Sequence, residues 1–316
     1  MLKEDLVVDI LMSTYNGEKY IEEQINSLLA QSYTNWHLII RDDYSSDNTI
    51  QIIEKFQKQY PQKISIIKDD LKNLGINQSF FVLMQKSRAD YLMFCDQDDF
   101  WLPDKIKLTL ERMLELEKNQ IDKQPALVFS DLKVVNENLK PIAESFWKIM
   151  SINPNNAKQI NKIIVRNSVT GCTMMINKPL KNLIEKIPQT ALIHDWWITL
   201  LACLFARISY INQPTILYRQ HNNNVMGLGK KSKIKKLLTN PFKAFKELKN
   251  KEISFQIQAK QLLEIYREKI ENNDTINILE NYSNLYQKNY LIRIYKRIKF
   301  KFLTESWLHN IIILSF

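Results

Sequence analysis

Four short apolar runs, Val7–Ser13, Trp36–Ile40, Ile64–Ile67 and Tyr91–Cys95, recur through the first hundred residues, with an amphipathic helical pattern between each and the next. The first run, VVDILMS, hardly alternates between apolar and polar, as a strand buried on both faces requires. Ile21, Ile25, Leu28 and Leu29 fall on one face of the first intervening helix, and Ile50, Ile53 and Phe56 mark the second. Phe80–Met84 lies in the third. Strand, helix, strand in repetition buries its apolar surface as a parallel sheet covered by helices, so the chain reads as α/β.

Past Asp99 the periodicity loosens. Pro103 opens a helix to about Glu117, since proline suits a first helical turn. Leu127–Val135 and Gly171–Ile176 read as strands, Trp196–Phe205 as an apolar helix, and Ile208–Ile211 and Thr215–Tyr218 as two more strands. Residues 140–165 show no period and are expected to be loop-rich. From Gly227 onward the chain is Lys-rich, with helical patterns around Ile265-Tyr266 and Leu291–Ile298. Charge divides at the same point. Before Gly227 there are 26 basic and 26 acidic side chains; from there on there are 18 and 8, which accounts for the whole net charge of +10.

A neutral domain followed by a basic extension implies that chemistry and targeting are separate jobs. Lys230, Lys231, Lys233, Lys235 and Lys236 surround Ile234, Leu237 and Leu238, a pattern that suits a helix on an anionic membrane surface. The alternative to membrane contact is a solvated linker, with helices packed on the domain or on a second subunit. No nucleic-acid-binding pattern is present, so no nucleic acid is expected as partner. No apolar run reaches the roughly 18 residues of a membrane span, Trp307–Phe316 included. The start, MLKEDLVVDI, lacks the apolar core of a signal peptide. Cys95, Cys172 and Cys203 lack metal-type spacing and read as buried, reduced thiols. The expected location is cytoplasmic, peripheral at the inner face of the cell membrane.

In a parallel α/β sheet, ligands bind at the carboxyl ends of the strands. Ser13-Thr14-Tyr15-Asn16, Asp42-Asp43 and Asp96-Gln97-Asp98-Asp99 follow the first, second and fourth strands and converge on one crevice. That set is rich in carboxylates and poor in cationic groups, so a bound phosphate needs a bridging cation. Hard oxygen ligands favour Mg²⁺ or Mn²⁺. The chain has only five glycines, at 17, 75, 171, 227 and 229. No G-x-G-x-x-G follows the first strand and no G-K-S/T occurs, which argues against a dinucleotide dehydrogenase and a P-loop ATPase.

The segments VDILMSTYNGEKYIEEQINSLLAQSYTNWHLIIRDDYSSDNT and YLMFCDQDDFWLPDKI resemble the family 2 glycosyltransferases. HDWW and LYRQHNNNV resemble a bacterial, rhamnosyltransferase-like branch of that family, and the resemblance covers about residues 6–226. It implies a GT-A fold, a Rossmann-like α/β/α sandwich with a mainly parallel sheet. On that reading residues 1–226 are the catalytic domain, with a nucleotide-binding half at about 1–100 and an acceptor-binding half at about 101–226. Residues 227–316 are the basic helical extension. The resemblance further implies that Ser13 and Tyr15 line the nucleotide pocket and that Asp43 accepts the pyrimidine N3–H. Asp96 would face ribose or metal, Asp98 would bind the divalent cation and Asp195 would be the general base. Arg219 is expected at the diphosphate and His221 at the metal. His194 stands where relatives often carry a second carboxylate.

A leaving diphosphate stabilised by a cation and an acceptor hydroxyl served by one base suit a single in-line displacement with inversion. A retaining double displacement would need a second carboxylate as nucleophile, and no candidate stands apart from the acidic cluster. Asp195 opens a helix, whose dipole is expected to keep it ionised. Plainer readings exist for each residue. Asp96–Asp99 is also a plausible acidic turn before a capped helix, Asp43 a turn aspartate, Asp195 an N-cap and His221 a turn residue. Trp196 and Trp197 could stack on an acceptor sugar, although on an apolar helix at least one belongs to the core. The expected activity is transfer of a sugar from a nucleotide diphosphate, dTDP-L-rhamnose ahead of a UDP-sugar, to a hydroxyl of a growing, lipid-linked bacterial surface glycan. A homo-oligomer is compatible with it. The alternative is a non-catalytic, membrane-associated assembly protein that keeps the fold as a binding module.

Overall fold

Residues 5–118, 123–221 and 241–315 are described by the structure, a computed structural model. Val8–Thr14 (β1), Trp36–Asp42 (β2), Ile64–Ile66 (β3) and Tyr91–Cys95 (β4) are parallel neighbours in the order β3-β2-β1-β4. Ile21–Leu29 (α1), Thr49–Gln59 (α2) and Gly75–Lys86 (α3) connect them. Every residue of β4 is buried, in keeping with its continuous apolar sequence. The register sets Ser13 beside Arg41, Thr14 beside Asp42 and Met12 beside Cys95. Parallel strands lie about 4.8 Å apart, so the polar residues that follow these three strands emerge side by side at one sheet edge.

Beyond β4 the sheet changes direction. Phe100–Trp101 (β5), Lys105–Glu117 (α4), Ala126–Val135 (β6), Pro141–Ala143 (β7) and Phe146–Met150 (α5) come first. Ile160–Ile163 (α6), Met175–Asn177 (β8), Lys178–Leu183 (α7), His194–Phe205 (α8) and Arg207–Arg219 (β9) follow. The full order is β3-β2-β1-β4-β8-β6-β9-β5, with β7 on β6. β8 is antiparallel to both β4 and β6, and β6 is parallel to β9. One mixed sheet therefore runs through both expected halves of the domain.

Three sequence expectations need correction. The two strands expected at Ile208–Ile211 and Thr215–Tyr218 are one strand, β9, whose register against β6 shifts around Asp131, opposite Pro214. Proline cannot donate to a ladder, so the pairing adjusts there without ending. The strand expected from Gly171 begins as a 3₁₀ turn, Gly171–Thr173, and becomes β8 only at Met175. Residues 140–165 are not chiefly loop: they hold β7, α5 and α6, and Trp147, Ile160 and Ile163 are buried. Helices of one turn are too short to print a period on the sequence.

The basic extension contributes Pro241–Tyr266 (α9), Asn273–Ser283 (α10), Tyr290–Lys299 (α11) and Trp307–Leu314 (α12). These helices pack on the domain. Phe255 meets Trp196 edge-on at 4.7 Å, and Tyr266 donates its hydroxyl to the Leu183 carbonyl at 3.1 Å. Asn161 donates to the Phe300 carbonyl at 3.0 Å. The Lys230–Leu238 cluster lies outside the described residues. Among the described residues no helix is long and apolar enough to cross a membrane. Arg297 and Glu252 form a 3.0 Å ion pair in which both side chains are almost wholly buried. Arg297→Ala would strand Glu252 without its cation, and a loss of about 3 kcal/mol is expected; an unchanged urea midpoint would contradict it.

Candidate active site

The loops after β1, β2 and β4 are stitched to one another before any ligand arrives. Gln97 clamps the first loop from both sides: its Oε1 accepts from the Tyr15 amide at 2.9 Å and its Nε2 donates to the Tyr15 carbonyl at 3.0 Å. Gly17 lies so close that a Cβ there would stand 2.4 Å from Gln97 Oε1, which explains the glycine. Asn16 takes a positive φ of 47° and accepts from the Ser46 amide. Asp42 is consumed structurally, accepting from Thr14 Oγ1 and from the Ser45 amide and hydroxyl. Asp43 faces the other way. It accepts from Arg41 Nη1 and from the amides of Leu74 and Gly75 at the start of α3, each at 2.8 Å. Arg41, almost fully buried, is itself held by Asp69 at 3.0 Å.

Ser13, Tyr15, Asp43, Asp96, Asp98 and Asp195 all line one cavity of about 480 Å³, and Gly171, His194 and Tyr218 are also in its lining. Six of the eight residues assigned by sequence are therefore brought together. Tyr15 is half exposed at the rim and Asp43 is buried.

The acidic turn after β4 is electrostatically strained. Burial, reinforced by the charges of Asp98 and Asp195, pushes Asp96 up to about 7. Burial and its acidic neighbours hold Asp99 well above the carboxylate range. Asp99 Oδ1 accepts the Arg219 amide at 3.0 Å, whereas its buried Oδ2 has no nitrogen or oxygen partner among the described residues. Asp96, Asp99 and Cys172 bring ligand atoms within 4.8 Å of one another. Of the acidic turn, Asp96 and Asp98 line the cavity, and their hard carboxylate oxygens fit a divalent cation such as Mg²⁺ or Mn²⁺, whereas the buried Cys172 thiol does not. His221 Nε2 meets Asp98 Oδ2 at 2.8 Å, so the two expected metal residues are direct neighbours.

Arg219 is placed otherwise than a diphosphate ligand would be. Its guanidinium is buried outside the cavity lining and lies over the Tyr20 ring. It donates to the Asp98 carbonyl at 2.8 Å, to the Glu137 carbonyl and to Glu23. Its work is to hold the acidic turn from behind.

Asp195 sits in the first turn of α8, but the N-cap is Ile193, which makes no side-chain cap. Its Oδ2 accepts the Gly171 amide at 2.8 Å and its Oδ1 accepts Asn167 Nδ2 at 3.1 Å. Burial outweighs these bonds and pushes the carboxyl up to about 7. The expectation that the helix dipole keeps it fully ionised is thus corrected, because desolvation is the larger effect. His194 stacks on Phe80 at 4.0 Å, and burial lowers it to about 3, so its imidazole is neutral. Neither tryptophan is free to stack on an acceptor. Trp196 is buried and bonded to the Ile163 carbonyl, and Trp197 is fully buried and bonded to the Lys186 carbonyl.

Sequence reasoning missed Gln97 as a clamp, Arg41 as the holder of Asp43, and the Asn167–Gly171 segment that seats Asp195. Only Gly171 left a signal, as one of five glycines. A Cβ there would stand 3.1 Å from His194 Nε2 and 3.3 Å from Asp195 Cβ.

The mixed, mainly parallel sheet covered by helices, with a carboxylate-lined cavity at the strand ends, is a GT-A-like architecture. Staphylococcus aureus TarS, solved in complex with UDP-GlcNAc, shares the fold at a TM-score of 0.55 and 18% identity, over 93% of this chain and 80% of that one. The family described as Glycosyl transferase family 2 matches residues 9–184. The dTDP-rhamnosyl transferase RfbG of Shigella flexneri is 34% identical over 241 residues, 72% of this chain and 78% of its own. The UDP-Glc:alpha-D-GlcNAc-diphosphoundecaprenol beta-1,3-glucosyltransferase WfgD of Escherichia coli is 27% identical over 180 residues, 57% and 63% of the two chains. The chain belongs to the family 2 glycosyltransferases.

Two outcomes follow from the seat of Asp195. If Asp195 is the base that the family resemblance implies, a carboxyl raised to about 7 acts only when ionised, so turnover should climb about tenfold per pH unit below that point and level above it. The same upward shift means its contribution to stability is present below the usual carboxylate range and is lost as pH rises through about 7. Gly171→Ala should lower kcat roughly tenfold by displacing the carboxylate, with the melting temperature little changed. A flat pH–rate profile, or full turnover in the glycine variant, would move the base elsewhere.

Proposed function

We propose that this glycosyltransferase moves L-rhamnose from dTDP-L-rhamnose to a hydroxyl of a lipid-linked bacterial surface glycan, with inversion at the transferred carbon. The observation that carries the reading is the single cavity onto which Asp43, Asp96, Asp98 and Asp195 all open. Asp43, preset by Arg41 and the α3 amides, accepts the pyrimidine N3–H. Ser13 and Tyr15 flank the base and ribose. Asp96 and Asp98, with His221 beside Asp98, would hold a Mg²⁺ or Mn²⁺ ion, which would supply positive charge to offset that building on the diphosphate. Asp195, raised to about 7, takes the acceptor proton near neutral pH. One base on the acceptor side suits a single in-line displacement.

The rhamnose donor is supported by the resemblance to RfbG, and the lipid-linked acceptor by that to WfgD. A UDP-sugar is the second reading, favoured by the WfgD donor and by the UDP-GlcNAc seated in TarS. Thymine and uracil share the N3–H that Asp43 reads, so this carboxylate serves either base.

A panel of nucleotide sugars with Mn²⁺ is expected to give fastest turnover with dTDP-L-rhamnose, and the product anomer read by NMR is expected to be inverted. dTDP should raise the melting temperature in the presence of Mn²⁺, and Asp98→Asn should remove the metal-dependent part of that rise. Asp195→Asn should lower kcat by at least about a hundredfold while dTDP still stabilises the protein. No stabilisation by either dTDP or UDP would sink the pocket assignment, and a UDP-sugar turned over faster would replace the donor.

A further inference from the structure

Helix α11 presents an apolar stripe to solvent and two arginines to the interior. On the inner side Arg297 is 1% exposed and paired with Glu252 of α9, and Arg293 lies over the Tyr286 ring. On the outer side Leu291, Tyr295 and Ile298 are 75%, 60% and 58% exposed. Their spacing of four and then three residues makes them one continuous stripe, with Ile292 at its margin. A helix on a water-facing surface does the reverse.

The stripe is bordered by Lys288, Lys299 and Lys301, all exposed, and by Lys296. Residues 281–304 contain six basic side chains and no acidic one. Apolar residues at helical spacing, basic flanks and a tyrosine within the stripe are what a helix lying in a headgroup layer needs. A second copy of the chain is a poor occupant, because a two-fold contact would set the same lysines against one another.

We propose that α11 docks on an anionic lipid bilayer, with Leu291, Tyr295 and Ile298 seated at the headgroup–acyl boundary and the bordering lysines on lipid phosphates. The inference extends the lipid-linked acceptor reading by giving the enzyme a surface on which to meet such an acceptor, and it is independent of which sugar is moved. The docked helix is firmly tied to the catalytic domain. The carbonyls of Phe300 and Leu303, just past its end, accept from Asn161 and Lys162 of α6, each at 3.0 Å. α6 packs in turn on α8, the helix of Asp195.

The test is co-sedimentation of the full chain with phosphatidylcholine vesicles, with and without phosphatidylglycerol. The wild-type chain is expected to bind the anionic vesicles. The triple variant Leu291→Ser, Tyr295→Ser, Ile298→Ser and the double variant Lys296→Glu, Lys299→Glu are each expected to bind at least about tenfold more weakly. Melting temperature and stabilisation by dTDP should match wild type in both variants, since none of these side chains faces the core or the cavity. Failure of the wild-type chain to bind, wild-type binding by the triple variant, or a dimer in light scattering that the triple variant abolishes without any vesicle binding would each overturn the proposal. A chain that binds vesicles but no nucleotide would leave the docking helix standing and remove the donor reading.

Discussion

Repulsion among carboxylates at the end of β4 governs the site. Asp96, Asp98 and Asp99 occupy one turn, and the charge of Asp195 reaches Asp96. In water such a group would spread apart; here burial and the sheet hold it together. The scaffold offsets part of the strain with the Arg219 amide on Asp99 and with Lys105 buried behind the turn. Lys105 is itself lowered to about 8 by burial, so its charge is a costly compensation. On the proposed reading, the charge that remains uncompensated would favour a cation in front of the turn, where the nucleotide phosphates would lie.

The neighbouring residues make that arrangement rigid. Gln97 locks the turn to the first loop, and Arg219 grips the Asp98 carbonyl. Arg41 and the start of α3 fix Asp43. A preset constellation has less to reorganise during reaction, which is the usual source of electrostatic catalysis. The rest of the cavity lining comes partly from Thr170-Gly171 and the first turn of α8, where desolvation raises the Asp195 carboxyl to about 7.

The extension belongs to the same mechanical unit. Its helices meet α8 through Phe255 and α6 through the carbonyls beyond α11, so Asp195 and the outward apolar stripe are joined by packed helices. Asn156 and Arg166, from the segment between β7 and β8, both reach Glu305, which ties the two regions again.

Much of this was legible in the chain. Continuous apolar runs specified β1 to β4, because strands buried on both faces tolerate little else, and the polar residues after them had to meet at one edge. Carboxylates without glycine-rich loops already excluded two nucleotide-binding designs. Other features exist only once distant segments pack. The pairing of β6 with β9, the burial that turns Asp195 from a helix-end anion into a group poised near 7, and the inward turn of Arg219 and Arg297 all depend on contacts far apart in sequence. Local periodicity records which face of an element is apolar; it cannot record what that face will meet, and desolvation and long-range ion pairing are decided by that meeting alone.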